Sequence, residues 1–208
     1  MNKIFEAAEK LSVEKSYFEY TITDVTNLAG IGMGTFYTYF NDKFSLHRYM
    51  LQYYSHEIRM VTSMASDEYT TRYQKEFYGL KAYLQYIQEH PVAYRIIWES
   101  QLTDPEFFKS YYENFCEKYL AGLQEGVERG EVLDCNLTAA AYLIMGGYSL
   151  YGLKLVIFDK KEQVTNQDVY NIMRILRHGL FPYPKPKSRS FSPVFDDTGR
   201  EIPAESEE

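Results

Sequence analysis

Basic charge is in short supply in this sequence: 22 lysines and arginines stand against 29 aspartates and glutamates over 208 residues, a formal net charge of −7. Such a balance gives no broad phosphate-attracting surface, so any hold on a nucleic acid has to be local. Cysteine is scarce as well. Cys116 and Cys135 stand in no redox or metal-ligand spacing, which excludes a disulfide framework and points to a reducing compartment. No uncharged apolar run is expected to reach the length that spans a bilayer, and Glu6 and Glu9 close behind the first residue do not fit a signal peptide, so the expected location is cytoplasmic and no membrane partner is expected. His47 and His56 lack companion ligands at one-turn spacing, so no metal site is expected. With no phosphate loop, nucleophile and base pair, or suggestive carboxylate pair, neither a cofactor nor an enzymatic activity is expected. The chain shows no internal repeat.

What is present is a run of amphipathic helical patterns and an unusual load of aromatics. The apolar fraction of 45% is ordinary, but 17% of residues are aromatic, led by 21 tyrosines. The stretch TITDVTNLAGIGMGTFYTYFNDKFSL, from Thr21 to Leu46, carries the densest local information. Thr21 and Asp24 form a T-x-x-D capping pattern, and Ile22, Val25 and Leu28 or Ala29 give one apolar face. Gly30-Ile31-Gly32 then lets the chain reverse. A second short helix, about Met33 to Phe40, has poor intrinsic propensity because of Gly34, Thr35 and Thr38. Phe36 and Phe40 lie one turn apart and can anchor it, while its other face holds no large aliphatic side chain and no charge. Gly34 on that face permits close backbone approach, as insertion into a major groove requires. The spacing predicts a helix-turn-helix.

The residues Ala7-Ala8, Leu11, Tyr17, Thr21-Ile22, Asp24-Val25, Ala29-Gly30-Ile31, Gly34-Thr35-Phe36-Tyr37, Tyr39-Phe40, Lys43 and Leu46 together resemble the DNA-binding domain of TetR-family transcriptional repressors. The resemblance implies an all-α homodimer whose amino-terminal helix-turn-helix binds a palindromic operator in double-stranded DNA and whose remaining helices bind an inducer. By motif position it implies DNA contact at Thr21, Thr23, Met33, Gly34, Thr35, Tyr37, Thr38, Tyr39 and Lys43. Two positions depart from the family pattern: Gly32 stands where a serine or threonine cap is usual, and Ser16 where a glycine commonly ends the first helix.

Three segments are expected: a DNA-binding domain over 1–47, a helical effector-binding and dimerisation domain over 48–181, and a disordered tail over 182–208 rich in proline, serine and mixed charge. Within the tail, the basic arm Lys185 to Arg189 is a candidate contact for DNA or a partner. In the middle segment, helices are expected from about Phe44 to Ala65, Tyr69 to Glu89, Val92 to Leu102, and onward from Pro105, with His90-Pro91 and Asp104-Pro105 as stop-and-start signals. Tyrosine is a costly core residue because its hydroxyl needs a partner. A pocket of aromatic walls and hydroxyls is therefore plausible, with Tyr94, Trp98, Phe108, Tyr111, Tyr112, Phe115 and Tyr142 as candidates and an apolar or aromatic molecule as the effector. The absence of a clear buried cation argues against an obligate anionic ligand.

Leu137 to about Phe158 forms the most hydrophobic helix, interrupted by Gly146-Gly147 and Gly152, and Thr165 or Asn166 caps a final one. The family resemblance implies that these two helices pair across a dimer axis, through Ala139, Ala140, Leu143, Gly146, Gly147, Leu150, Met173 and Leu176. Glycines that bend the helix around a ligand are the other reading. The expected function is a sequence-specific repressor released from its operator by an effector. The alternative is a DNA-binding protein of the same fold that answers to a protein partner and has no small-molecule pocket.

Overall fold

The computed structural model describes residues 1–179 together with 194–195 and 201–202. Met1–Met173 form one compact unit and Arg174–Glu208 a second. In chain order the helices are α1 (Asn2–Glu14), α2 (Ile22–Ala29), α3 (Met33–Tyr37), α4 (Lys43–Asp67), α5 (Arg72–Glu89), α6 (Pro91–Thr103), α7 (Pro105–Glu128), α8 (Leu137–Gly152) and α9 (Asn166–His178). A π-helical turn, Leu153–Phe158, continues α8.

Local chemistry accounts for most of the boundaries. Thr21 caps α2 as expected: its hydroxyl accepts from the Asp24 N–H at 3.2 Å while the Asp24 carboxylate accepts from the Thr21 N–H at 2.7 Å. Gly30 ends α2 with φ 64, a left-handed conformation that a side chain would strain. Ser16 caps the single turn Tyr17–Glu19, its N–H donating to Glu19 at 2.6 Å. Gly32 caps α3 with no side-chain bond. Asp104, the residue before Pro105, accepts from the Phe107 N–H at 3.1 Å, so one side chain starts α7 where the proline fixes φ. Thr165, rather than Asn166, supplies the cap of α9. The α5 helix begins at Arg72 and not at Tyr69, because Thr71 provides the cap and Tyr69 stacks flat on Tyr78 with ring centroids 3.9 Å apart.

The amino-terminal helices bury Ile4, Ala8, Val25, Phe36, Leu46 and Met50. The core continues without a break along α4 through Tyr54 and Ile58 to Leu80, Leu84 and Ile87 on α5 and Ile96 on α6. Two polar clamps join α6 to the amino-terminal helices: the Arg95 guanidinium donates to the Val13 carbonyl at 2.9 Å, and Glu99 accepts from the Tyr17 N–H at 3.1 Å. An Arg48 and Asp104 ion pair at 3.0 Å makes a third tie between α4 and the start of α7.

One sequence expectation needs correction. Leu137–Phe158 is long and apolar enough, by length and composition, to cross a membrane. The segment is two-faced in its burial: Ala141, Met145 and Gly152 pack inward, while Leu143 and Leu150 stand exposed. Gly152 explains part of its glycine content, since a Cβ there would lie 2.6 Å from Ile87 Cδ1, so α8 packs directly on α5.

In the second unit, residues 194–195 and 201–202 form a short antiparallel ladder with Val194 opposite Ile202 and Phe195 opposite Glu201. The rest of the tail from 182, including the arm Lys185 to Arg189, lies outside the described residues.

His47 generates a prediction. It is buried, its Nε2 lies 3.1 Å from the Thr103 hydroxyl, its Nδ1 has no partner, and burial lowers its pKa to about 4. The unfolded chain takes up this proton near 6.5 and the folded chain only near 4. Between those values the unfolded state binds more protons, so folding stability falls as pH falls, by about 3 kcal/mol in all. His47→Gln should flatten the difference in urea-unfolding free energy between pH 7 and pH 5 by about 2 kcal/mol.

Candidate nucleic-acid interface and effector cavity

The short helix α3 is held by its inner side. Phe36 is fully buried and Phe40 nearly so; their rings lie 5.8 Å apart, and Phe40 packs on Tyr49 of α4 at 5.7 Å. Everything else on the helix faces solvent: Met33, Gly34, Thr35, Tyr37, Thr38 and Tyr39 are all exposed. A Cβ added at Gly34 would meet no atom within 4 Å. The face is thus uncharged, rich in hydroxyls and low in relief, and its attachment to the core is independent of its outer side chains. The Thr38 hydroxyl donates to the Thr35 carbonyl at 2.6 Å, leaving its lone pairs outward.

Thr21 and Thr23 are exposed at the amino-terminal end of α2. The Thr21 hydroxyl donates to Asp24 at 2.7 Å in addition to its capping bond, so it is committed within the domain. Lys43 differs from the sequence expectation in where its ammonium goes. Nζ donates to the Tyr17 and Tyr20 carbonyls at 2.7 and 2.8 Å and lies over the Tyr17 ring, with its pKa lowered by burial. It ties the loop after α1 to the start of α4 instead of reaching outward.

Behind this head, α4, α5, α7 and α8 line a half-open cavity of about 790 Å³. Of the sequence candidates, Tyr111, Tyr112 and Phe115 line it. Tyr94 and Trp98 instead line a second, small space of about 20 Å³ on the other side of Tyr111 and Tyr112. Phe108 lines neither and packs edge-on against Tyr112 at 5.0 Å. Tyr142 also lines neither, because it falls on the exposed side of α8. The Tyr94 hydroxyl is buried without a partner, and burial pushes its pKa up to about 12.

Sequence reasoning missed the polar heart of the cavity. Glu76 of α5 receives the Arg72 guanidinium and the Tyr119 hydroxyl, and the Tyr148 hydroxyl at 3.1 Å. Burial first, and then the charge of Glu76, raise both phenols well above their ordinary range, so they remain donors. Arg72 lies over the Tyr119 ring and against Gly122, where a Cβ would collide with it. The spacing of Arg72 and Glu76 looks like an ordinary surface pair on a helix; only the packing of α7 and α8 onto α5 buries it.

The small-residue face of α8 divides. Ala139, Leu143, Gly146 and Leu150 are exposed, Leu143 at 72%, and Ala140 and Gly147 are half-buried. Met173 of α9 is buried, its sulfur accepting from the Tyr148 hydroxyl at 3.5 Å, so it belongs to the core and is corrected from the expected surface set. Leu176, in the second unit, is exposed. Among the described residues no group of three or more histidines, cysteines or carboxylates is placed to hold a metal ion.

No protein-family model matches the chain. It is 22% identical over 177 residues to YhgD of Bacillus subtilis (strain 168), an uncharacterized HTH-type transcriptional regulator, covering 83% of this chain and 90% of that one. Among solved structures it is similar to the TetR-family transcriptional regulator PfmR of Thermus thermophilus, with TM-score 0.72 and 17% identity over 86% of this chain and 99% of that one. It is also similar to the transcriptional regulator FadR of Bacillus subtilis in complex with stearoyl-CoA, with TM-score 0.70 and 16% identity over 86% and 98% of the two chains. The chain has the fold of the TetR-family regulators.

The Glu76 cluster predicts an asymmetric response to mutation. Glu76→Ala leaves the buried Arg72 charge unpaired and should destabilise the protein by about 3 kcal/mol or more. Tyr148→Phe removes one neutral donor from a carboxylate that keeps two others and should cost about 1.5 kcal/mol. Urea unfolding of the two variants beside the wild type measures both.

Proposed function

We propose that this chain, on its TetR-family fold, is a sequence-specific DNA-binding transcriptional regulator: a cytoplasmic homodimer that represses from a palindromic operator and is released by a small apolar or aromatic effector. The observation that carries the proposal is α3, a helix whose inner side is locked by Phe36 and Phe40 and whose outer side is exposed, uncharged and open at Gly34. Such a surface suits a major groove, with Met33, Gly34 and Thr35 approaching base edges, Tyr37 and Tyr39 donating to bases or phosphates, and Thr38 offering its lone pairs to a base-edge donor. Thr21 and Thr23 flank it from α2. Backbone N–H groups at the start of α4, beside Lys43, add a phosphate contact that needs no net basic charge. In this reading residues 1–47 are the DNA-binding domain and the segment from 48 the effector and dimerisation domain.

The cavity, with Tyr111, Tyr112 and Phe115 in its wall, is the proposed effector site, and Tyr94 and Trp98 sit just behind that wall. FadR, bound to stearoyl-CoA, supports a small-molecule ligand for a protein of this fold. The α6 helix gives the effector a route to the reading head. Tyr94 and Trp98 border the small space, while Arg95 and Glu99 on the same helix hold Val13 and Tyr17. An effector that binds one setting of α6 better than another shifts the spacing of the two heads in a dimer. The exposed stripe Ala139, Leu143, Gly146 and Leu150 on α8 is the proposed dimer face. No catalytic role is part of the proposal. Control by a protein partner in a protein without a pocket is less supported, given a cavity of about 790 Å³.

Selection of bound sequences from randomised duplex DNA, at stated salt, tests the proposal. An enriched palindrome is the expected result; a folded dimer that enriches nothing at low or moderate salt overturns it. On the selected operator, Gly34→Leu should leave the circular-dichroism melt unchanged or slightly raised, since leucine is the better helix former. The same variant should lose at least tenfold in DNA affinity, because the added side chain occupies the space between α3 and the bases.

A further inference from the structure

The polar groups around the main cavity are unevenly satisfied. At one end Glu76 is saturated by Arg72, Tyr119 and Tyr148, a closed and nearly neutral set. Elsewhere in the wall stands Arg59 of α4, one residue beyond the core residue Ile58. Among the described residues no carboxylate lies within ion-pair distance of its guanidinium, and no hydrogen bond engages its side chain. It is half-buried. Tyr111, also on the cavity wall, is buried near Arg59: burial raises the pKa of its hydroxyl while the Arg59 charge opposes that rise. Ser149, from α8, lines both the cavity and the small space beside it, together with Tyr83, Tyr111 and Tyr112.

The other charges at the cavity do not cancel Arg59. Glu76 is already paired with Arg72, and the exposed carboxylates Asp67 and Glu117 are equalled in number by Lys75 and Lys118 in the same lining. A guanidinium held in an aromatic wall without a counter-charge favours an anion, and its planar fork fits a carboxylate with two parallel bonds. The remainder of the wall supplies Leu80, Phe115, Ile144 and Met145, which fit an apolar or aromatic body.

We infer that the cavity takes an organic carboxylate, its anionic head held by the Arg59 guanidinium and the Tyr111 hydroxyl and its apolar body lying against Leu80, Phe115 and Met145. This rests on the reading of the cavity as the effector site and narrows the effector from apolar or aromatic molecules in general to acids. It also reverses the expectation from sequence, which found no cation for an anionic ligand.

The test is a titration of the full chain with matched probes: phenylbutyrate and laurate, each beside the alcohol and the amine of the same skeleton. Isothermal calorimetry and Trp98 fluorescence read the binding. Both acids should bind at least tenfold tighter than their alcohols, and the amines weakest. Arg59→Gln should lose that advantage while leaving alcohol binding unchanged, and Arg59→Lys should retain part of it. Tyr111→Phe, which keeps the ring, should lose severalfold for the acids alone. Alcohols binding as well as acids, equal losses for acids and alcohols in Arg59→Gln, or no binding by any of the six probes overturns the inference. Failure of the regulatory reading is seen separately, as acids that bind but leave the selected operator complex intact, or as no operator at all.

Discussion

A single helix sets the mechanical problem that the rest of the molecule solves. α4 runs for 25 residues without interruption, and its buried stripe begins at Leu46 in the amino-terminal core and ends at Ile58 beside the cavity. Burying that stripe from both ends is the largest shared hydrophobic interaction between head and body, at roughly 2 kcal/mol for each large side chain. The head therefore cannot move by bending a flexible linker. α4 runs from head to body as a single helix, and the polar contacts of Arg95, Glu99 and Asp104 add further ties.

The tyrosine content follows from what the core asks of its hydroxyls. Tyr54 donates to Glu9 at 2.6 Å, the Tyr20 hydroxyl lies 3.3 Å from that of Ser12, and Tyr119 and Tyr148 converge on Glu76. Each fixes two segments of the chain by direction as well as by contact, which aliphatic packing alone does not do. Tyr94 is the contrast: among the described residues its buried hydroxyl has no partner, and it borders a small hollow in the body. Partnered phenols mark structural joints here, and the unpartnered one faces empty space.

The head was legible in the sequence because its signals are local. The Thr21 and Asp24 box, the left-handed Gly30, and the one-turn spacing of Phe36 and Phe40 each act within a few residues of themselves, and the structure keeps them. The cavity was half legible. Aromatic spacing found Tyr111, Tyr112 and Phe115, but Arg59, Arg72 and Glu76 carry no local mark, since four helices from distant parts of the chain make them neighbours. Tyr142 and Met173 were misplaced for a related reason. A helix such as α8, apolar nearly all round, does not reveal its rotation, so Tyr142 turned outward where a wall was expected; Met173 on α9 turned inward where a surface was expected. The Lys43 ammonium shows the same limit at smaller scale, because its two carbonyl partners lie more than twenty residues away in sequence.

Two glycines six positions apart on α8 have opposite freedom. At Gly152 even one methyl group would press on Ile87 Cδ1, with Leu84 Cδ2 3.3 Å away and Tyr83 close behind, whereas at Gly146 a side chain would meet only open space. The two positions should therefore drift differently as the sequence diverges. Position 152 is pinned by the chain's own interior, so its conservation reports on folding. Position 146 is free of that constraint, and any resistance to change there measures a surface that belongs to another molecule.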